Sequence, residues 1–258
     1  MDKAAAERSI IAFDEWLQTP AGLYVRAWEQ ACLDELTVDL FGFNAIQVGL
    51  PQLHALAANR MPNRWQAATR TGGVDELSRY ACGKQVAVAL DYAELPFASQ
   101  SLDLVVLPHV LEFAAEPHQV LREVERVLIP EGQAVICGFN PASLWGLRQY
   151  AGRALRSPYL PTEGEFISMP RMKDWLKLLN LGVTRSHFGC YAPAFRSSQW
   201  LARCGFLERA GRRWWPYLGA VYIVHAIKRV KGMRIIGPAW SRAKPAPQAV
   251  PATNRKQE

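Results

Sequence analysis

The residues best suited to move a proton near neutral pH are five histidines: His54, His109, His118, His187 and His225. None stands in an HExxH pair or at metal-ligand spacing with a cysteine. The cysteines, Cys32, Cys82, Cys137, Cys190 and Cys204, form no CxxC pair, so no metal site is expected. No GxSxG elbow and no phosphate-cradling loop occurs. The informative polar residues are those that follow apolar runs. His109 follows Leu102–Leu107, with Pro108 shaping the turn, and it suits either a general base or a packed loop histidine. Asn140 follows Ala134–Phe139; its amide can hold a reacting group or tie down its own loop. Asp91 follows Gln85–Leu90 and can accept from a ligand or cap a short turn. Gly49 closes Asn44–Gly49, where a glycine permits tight curvature and close approach of the backbone to a ligand.

Those apolar runs must be held by elements that alternate. Gln85–Leu90, Leu102–Leu107 and Ala134–Phe139 are near-continuously apolar, as buried parallel strands are. Between the last two, Pro117–Leu128 places Val120, Leu121, Val124, Val127 and Leu128 on one helical face, and Pro130-Glu131-Gly132 ends it. Strand, helix, turn and strand at these lengths form a βαβ unit, which puts ligand contacts at the carboxyl ends of the strands. Further helices are expected over roughly 23–40, 52–60, 74–81, 171–180 and 197–204. Weaker strands are expected at 64–69 and 182–191, and an apolar one at 220–227. The final two strands, with little helix between them, are expected to pair antiparallel.

Charge divides the chain. Through Ala142 there are 10 Lys+Arg against 18 Asp+Glu; from Ser143 onward there are 20 against 5. The basic half includes Arg148, Arg153, Arg156, Arg171, and Arg212-Arg213 ahead of Trp214-Trp215. It suits weak, non-specific contact with nucleic acid or an anionic surface, or merely a solvated basic face. With 50% apolar and 21% charged residues the chain can form a core. No apolar run approaches the length of a membrane span, and the start lacks the order of a signal peptide, so a cytoplasmic protein is expected.

The segment Asp91-Tyr92-Ala93-Glu94-Leu95-Pro96-Phe97, continuing to Leu102-Asp103-Leu104-Val105, resembles the class I S-adenosylmethionine-dependent methyltransferases. In that family an Asp after the third strand precedes Leu-Pro-Phe and an Asp-Leu-Val strand. His109-Val110-Leu111-Glu112-Phe113, Leu121-Arg122-Glu123 and Pro130-Glu131-Gly132 are similar to the family's post-strand loop and its approach to the fifth strand. The resemblance is close from Val86 to Phe139. It narrows to a bacterial methyltransferase-like subgroup through Trp16, Thr19-Pro20, Gly22, Phe41-Gly42, Gly138-Phe139-Asn140-Pro141, Ser143-Leu144-Trp145, Asp174-Trp175-Leu176 and Arg212-Arg213-Trp214-Trp215-Pro216.

The resemblance implies an α/β fold: one Rossmann-like sheet of seven strands in the order 3-2-1-4-5-7-6, with helices on both faces. It places the methyltransferase-like domain over 42–236, with an excursion at about 143–170; helical spacing marks an extension over 1–41, and Ala/Pro/Lys-rich composition a disordered basic tail over 237–258. The implied cofactor is S-adenosylmethionine, held by Gly49, Thr69, Asp91, Tyr92, Pro108 and His109, with His109 and Asn140 as catalytic residues. Two family features are reduced. Only Gly49 remains of the Gly-rich turn, and Thr69-Arg70 stands where the family ends its second strand in a ribose-binding carboxylate. The expected function is methyl transfer to a small-molecule acceptor. The alternatives are a non-catalytic scaffold and an RNA or DNA methyltransferase.

Overall fold

Strands that are apolar on both faces need cover on both, and a sheet between two helical layers supplies it. The computed structural model describes residues 12–68, 85–155, 159–160 and 164–230. The expected helix at 74–81, Thr69 and the tail at 237–258 lie outside the described residues. The strands are β1 (Asn44–Val48), β2 (Asn63–Ala68), β3 (Gln85–Ala89), β4 (Leu102–Pro108), β5 (Leu128–Phe139), β6 (Leu181–Gly189) and β7 (Val221–Lys228). The described helices include α1 (Pro20–Thr37), α2 (Val110–Phe113), α3 (Pro117–Val127), α4 (Leu144–Ala154), α5 (Met169–Leu178), α6 (Ser198–Arg203) and α7 (Phe206–Trp214).

The hydrogen-bonded order is β3-β2-β1-β4-β5-β7-β6. The expectation that Gln85–Leu90 lies in the core of the sheet is corrected: β3 is hydrogen-bonded to β2 alone, at the outer edge, beyond the six strands β2-β1-β4-β5-β7-β6. Continuous apolarity reports that a strand is covered above and below. It carries no information on whether both edges are paired. Strand β7 runs antiparallel to both β5 and β6, as expected, although two helices, α6 and α7, lie between β6 and β7.

Side-chain alternation divides the interior into two layers. Leu104, Val106, Val135 and Cys137 join Phe13, Trp16, Leu17 and Leu33 on one face. Val105, Leu107, Ala134 and Ile136 join Val120, Leu121, Val124 and Val127 of α3 on the other. Each fully buried aliphatic side chain contributes roughly 1.5–3 kcal/mol. The amino-terminal segment therefore packs in the same core as the sheet.

Several elements depart from expectation. Residues 51–60 form irregular turns instead of a helix. Several carbonyls from Gly49 to Asn59 are satisfied by side chains: Gln47 Nε2 donates to Gly49, Leu50 and Leu53, and Arg64 Nη1 donates to Leu56 and Asn59. Asn59 in turn donates to the carbonyls of Thr37 and Leu40. Such competition between side chain and ladder is what displaces helix here. The first long helix begins at Pro20, not Leu23, because Thr19 Oγ1 accepts from the Gly22 N–H and Pro20 takes the first position. A Cβ at Gly22 would lie 2.3 Å from the Trp16 carbonyl, which explains the Trp16–Gly22 pattern. Helix α4 occupies part of the expected excursion, capped by Ser143, whose Oγ accepts from Gly146. Helix α7 is not expected from the sequence.

Candidate active site

Gly49 follows β1 with φ +81°, a conformation that favours glycine. A Cβ there would sit 2.7 Å from Val110 Cγ2 and 3.4 Å from the Tyr92 hydroxyl. The carboxyl ends of β1 and β4 and the loop after β3 thus converge on Gly49, Tyr92, Pro108 and Val110. Tyr92 is buried, while Asp91 is exposed; one Asp91 oxygen, Oδ1, accepts from the Ala93 N–H at 3.1 Å. The Gly49 N–H itself donates to the Ala67 carbonyl at 2.7 Å.

His109 is fully buried and adopts the left-handed conformation (φ 55°) at the start of α2. Its Nε2 lies 2.6 Å from Oε1 of Glu29, on α1, and its Nδ1 lies 2.8 Å from Oε2 of Glu112. Burial alone would lower the imidazole pKa, but Glu29 and then Glu112 overcome it and raise the value to about 10. His109 is therefore an imidazolium at neutral pH, with both nitrogens engaged. Around it stand Phe139 (ring centroids 4.5 Å apart), Phe13 (5.3 Å) and, against Phe13, Phe113 and Trp16. Glu112 also accepts from the Phe139 N–H, which fixes the end of β5.

Asn140 is buried with its side chain fully used. Its Nδ2 donates to the carbonyls of Tyr217 (2.8 Å) and Gly219 (3.0 Å), and its Oδ1 accepts from Ala142. It thereby joins two walls of a cleft of about 610 Å³ whose lining includes Pro141, Ser143, Tyr150, Arg153, Phe166 and Leu218. Gly49, Asp91, Tyr92 and His109 do not line it. The structure brings Gly49, Tyr92 and Pro108 together, keeps Asp91 beside them, and places Asn140 at the separate cleft. Thr69 is outside the described residues. Among the described residues no His/Cys/Asp/Glu group could hold a metal ion, and no helix is long and apolar enough to cross a membrane.

Two residues escaped sequence reasoning although each left a signal. Glu29 lies on the buried face of α1 with Val25, Leu33 and Leu36, an acid at an apolar position of the helical repeat. Glu112 stands one helical turn after His109.

The sheet order, with its last strand antiparallel to its neighbours, and the convergence on the end of β1 define the class I methyltransferase fold. Solved structures agree on that fold. A chain of the Haloferax volcanii complex between the Trm112 methyltransferase activator and a candidate methyltransferase is 15% identical, with TM-score 0.61, covering 84% of this chain and 98% of that one. A SAM-dependent methyltransferase from Thermotoga maritima is 10% identical, with TM-score 0.60 over 86% of this chain and 100% of its own. A family model described as a methyltransferase domain matches residues 55–136, beginning just after the Gly49 turn. The uncharacterised protein YafS of Escherichia coli is 32% identical over 99% of this chain and 98% of its own. The chain belongs with YafS to a bacterial subgroup of the class I S-adenosylmethionine-dependent methyltransferase family. It is a SAM-dependent methyltransferase-like protein whose substrate these likenesses do not specify.

Proposed function

We propose that the protein binds S-adenosylmethionine at its adenosine end and methylates a small-molecule acceptor. The observation that carries this reading is the convergence of Gly49, Tyr92 and Pro108 beside an exposed Asp91 carboxylate. These residues fit the adenosine half of the cofactor: Asp91 can accept from an exocyclic amine, and the Tyr92 backbone lies next to it. They do not fit the methionine half, because the Gly49 N–H is spent on Ala67 and Gln47 draws the carbonyls of the following turn inward. No step of transfer is assigned to these residues. His109 is a positioning residue: as a buried imidazolium between two carboxylates it fixes the turn after β4 and cannot take a proton. Asn140 likewise positions the cleft wall.

The engagement of the Gly49 N–H by Ala67 favours one other reading, a methyltransferase-like scaffold that binds nucleosides weakly and turns nothing over. Competition binding separates intact-site from half-site recognition. Methylthioadenosine, which carries a methyl group in place of the amino-acid chain on sulfur, is expected to bind within about threefold of S-adenosylhomocysteine, since a factor of three is under ~0.7 kcal/mol. A preference of a hundredfold or more for S-adenosylhomocysteine, ~2.7 kcal/mol, would show a methionine pocket and overturn this placement.

A further inference from the structure

All seven residues from Arg212 to Leu218, Arg-Arg-Trp-Trp-Pro-Tyr-Leu, are exposed. Trp214 is 72% accessible and Tyr217 69%. Beside them α4 exposes Leu144, Leu147 and Tyr150, which recur every three residues along the helix, and Leu155 follows its end. The two stretches meet, because Leu218 lines the same cleft as Leu144, Leu147 and Tyr150. Exposed aromatic and aliphatic side chains in this number on two neighbouring stretches are unusual on a protein surface without a partner.

The charge around it is mostly basic, although Glu165 lines the same cleft and Glu35 lines a second one with Arg212. Residues 196–218 carry Arg196, Arg203, Arg209, Arg212 and Arg213 against a single acid, Glu208. That acid is turned inward, accepting from the Tyr24 hydroxyl and the Tyr191 N–H. On α4, Arg148 and Arg153 flank the exposed leucines. Leucines gain from hydrocarbon and offer bases no face to stack on, whereas Trp and Tyr suit the boundary between hydrocarbon and water. Arginines complement anionic headgroups at the same depth.

We infer that the face formed by α4, the end of α7 and residues 214–218 docks in plane on an anionic lipid surface, with the cleft beside Asn140 opening toward that surface. Among the described residues no helix could span a bilayer, so the contact is peripheral. The inference is independent of cofactor binding, which its test does not read.

The test is co-sedimentation of the full chain with vesicles of phosphatidylcholine alone and of roughly 3:1 phosphatidylcholine and phosphatidylglycerol. Binding to the anionic vesicles is expected to be at least tenfold tighter. Trp214→Ser/Trp215→Ser and Leu147→Ser/Tyr150→Ser should each weaken it at least tenfold with an unchanged thermal melt. Arg212→Ser/Arg213→Ser should abolish most of the anionic preference, and Arg122→Ser, on α3, should not. Absence of sedimentation, binding indifferent to the Trp pair, or loss of self-association in the Trp variant without any vesicle effect would each overturn the proposal. So would a single-stranded RNA that binds the wild type more tightly than the anionic vesicles and depends on the same two tryptophans.

Discussion

Glu29→Ala removes one of two carboxylates that hold a buried imidazolium, and its cost can be worked from the geometry. Glu29 and His109 are both fully buried, their contact is 2.6 Å, and Glu112 remains as the other partner at 2.8 Å. Stranding one member of a buried pair costs ~3–5 kcal/mol. A domain's whole stability is ~5–15 kcal/mol, so the loss is large. At an m-value of ~1–3 kcal/mol/M, the urea midpoint should fall by at least ~1 M. The pH dependence carries the same signature with a fixed sign. The folded state holds the His109 proton to about pH 10, whereas an unfolded histidine releases it near 6.5. This contribution is complete below pH 6.5 and is lost as pH rises toward 10. Glu29→Gln should reduce that slope. Urea unfolding followed by tryptophan fluorescence and far-UV circular dichroism at several pH values reads both effects. A midpoint loss in Glu29→Ala no greater than that of Glu116→Ala, an exposed acid just before α3, or a His109-dependent stability that does not decline across that window, would refute the buried imidazolium.

Other outcomes rest on single contacts. Asp103 Oδ2 accepts from the N–H groups of Phe43 and Asn44, so Asp103→Ala should cost ~1–3 kcal/mol in urea while leaving cofactor affinity within twofold. Asp91→Ala should do the opposite, weakening S-adenosylmethionine about tenfold in calorimetry, ~1.4 kcal/mol, with a smaller change in stability. Gly49→Ala places a Cβ 2.7 Å from Val110 at φ +81° and should destabilise by ~1–3 kcal/mol in a thermal melt. Gln47→Leu strands the Ala55 N–H and several turn carbonyls and should cost at least ~2 kcal/mol. It should also raise proteolysis within residues 51–60.

The sequence showed most where local pattern and tertiary demand agree. Leu102–Leu107 and the Val120–Val127 helix are legible because their burial is set by periodicity alone. Residues 51–60 misled because a proline followed by helix-compatible residues suggests a helix, whereas the deciding partners, Gln47 and Arg64, lie on strands and act through their side chains. Within β5, Ile129–Gly132 bulges between the pairing of Leu128 with Leu102 and that of Gln133 with Leu104. Glu131 sits there at φ 63°, so the strand begins six residues before its apolar run. At the site, the positions of Gly49, Tyr92 and Pro108 were readable, since strand ends in such sheets converge. The environment of His109 was not, because Glu29 is 80 residues away in sequence and only the packing of α1 on the sheet brings it to the ring.

The central claim is that this chain binds S-adenosylmethionine through the loop after β3 and the turn after β1. Isothermal titration of the wild-type full chain with S-adenosylmethionine tests it most directly. The account predicts one site with a dissociation constant of tens of micromolar, ~6 kcal/mol, weakened about tenfold by Asp91→Ala and unchanged by Asp103→Ala. No heat of binding at ~1 mM ligand, which bounds the affinity below about 4.1 kcal/mol, would contradict it, as would equal weakening by both folded variants.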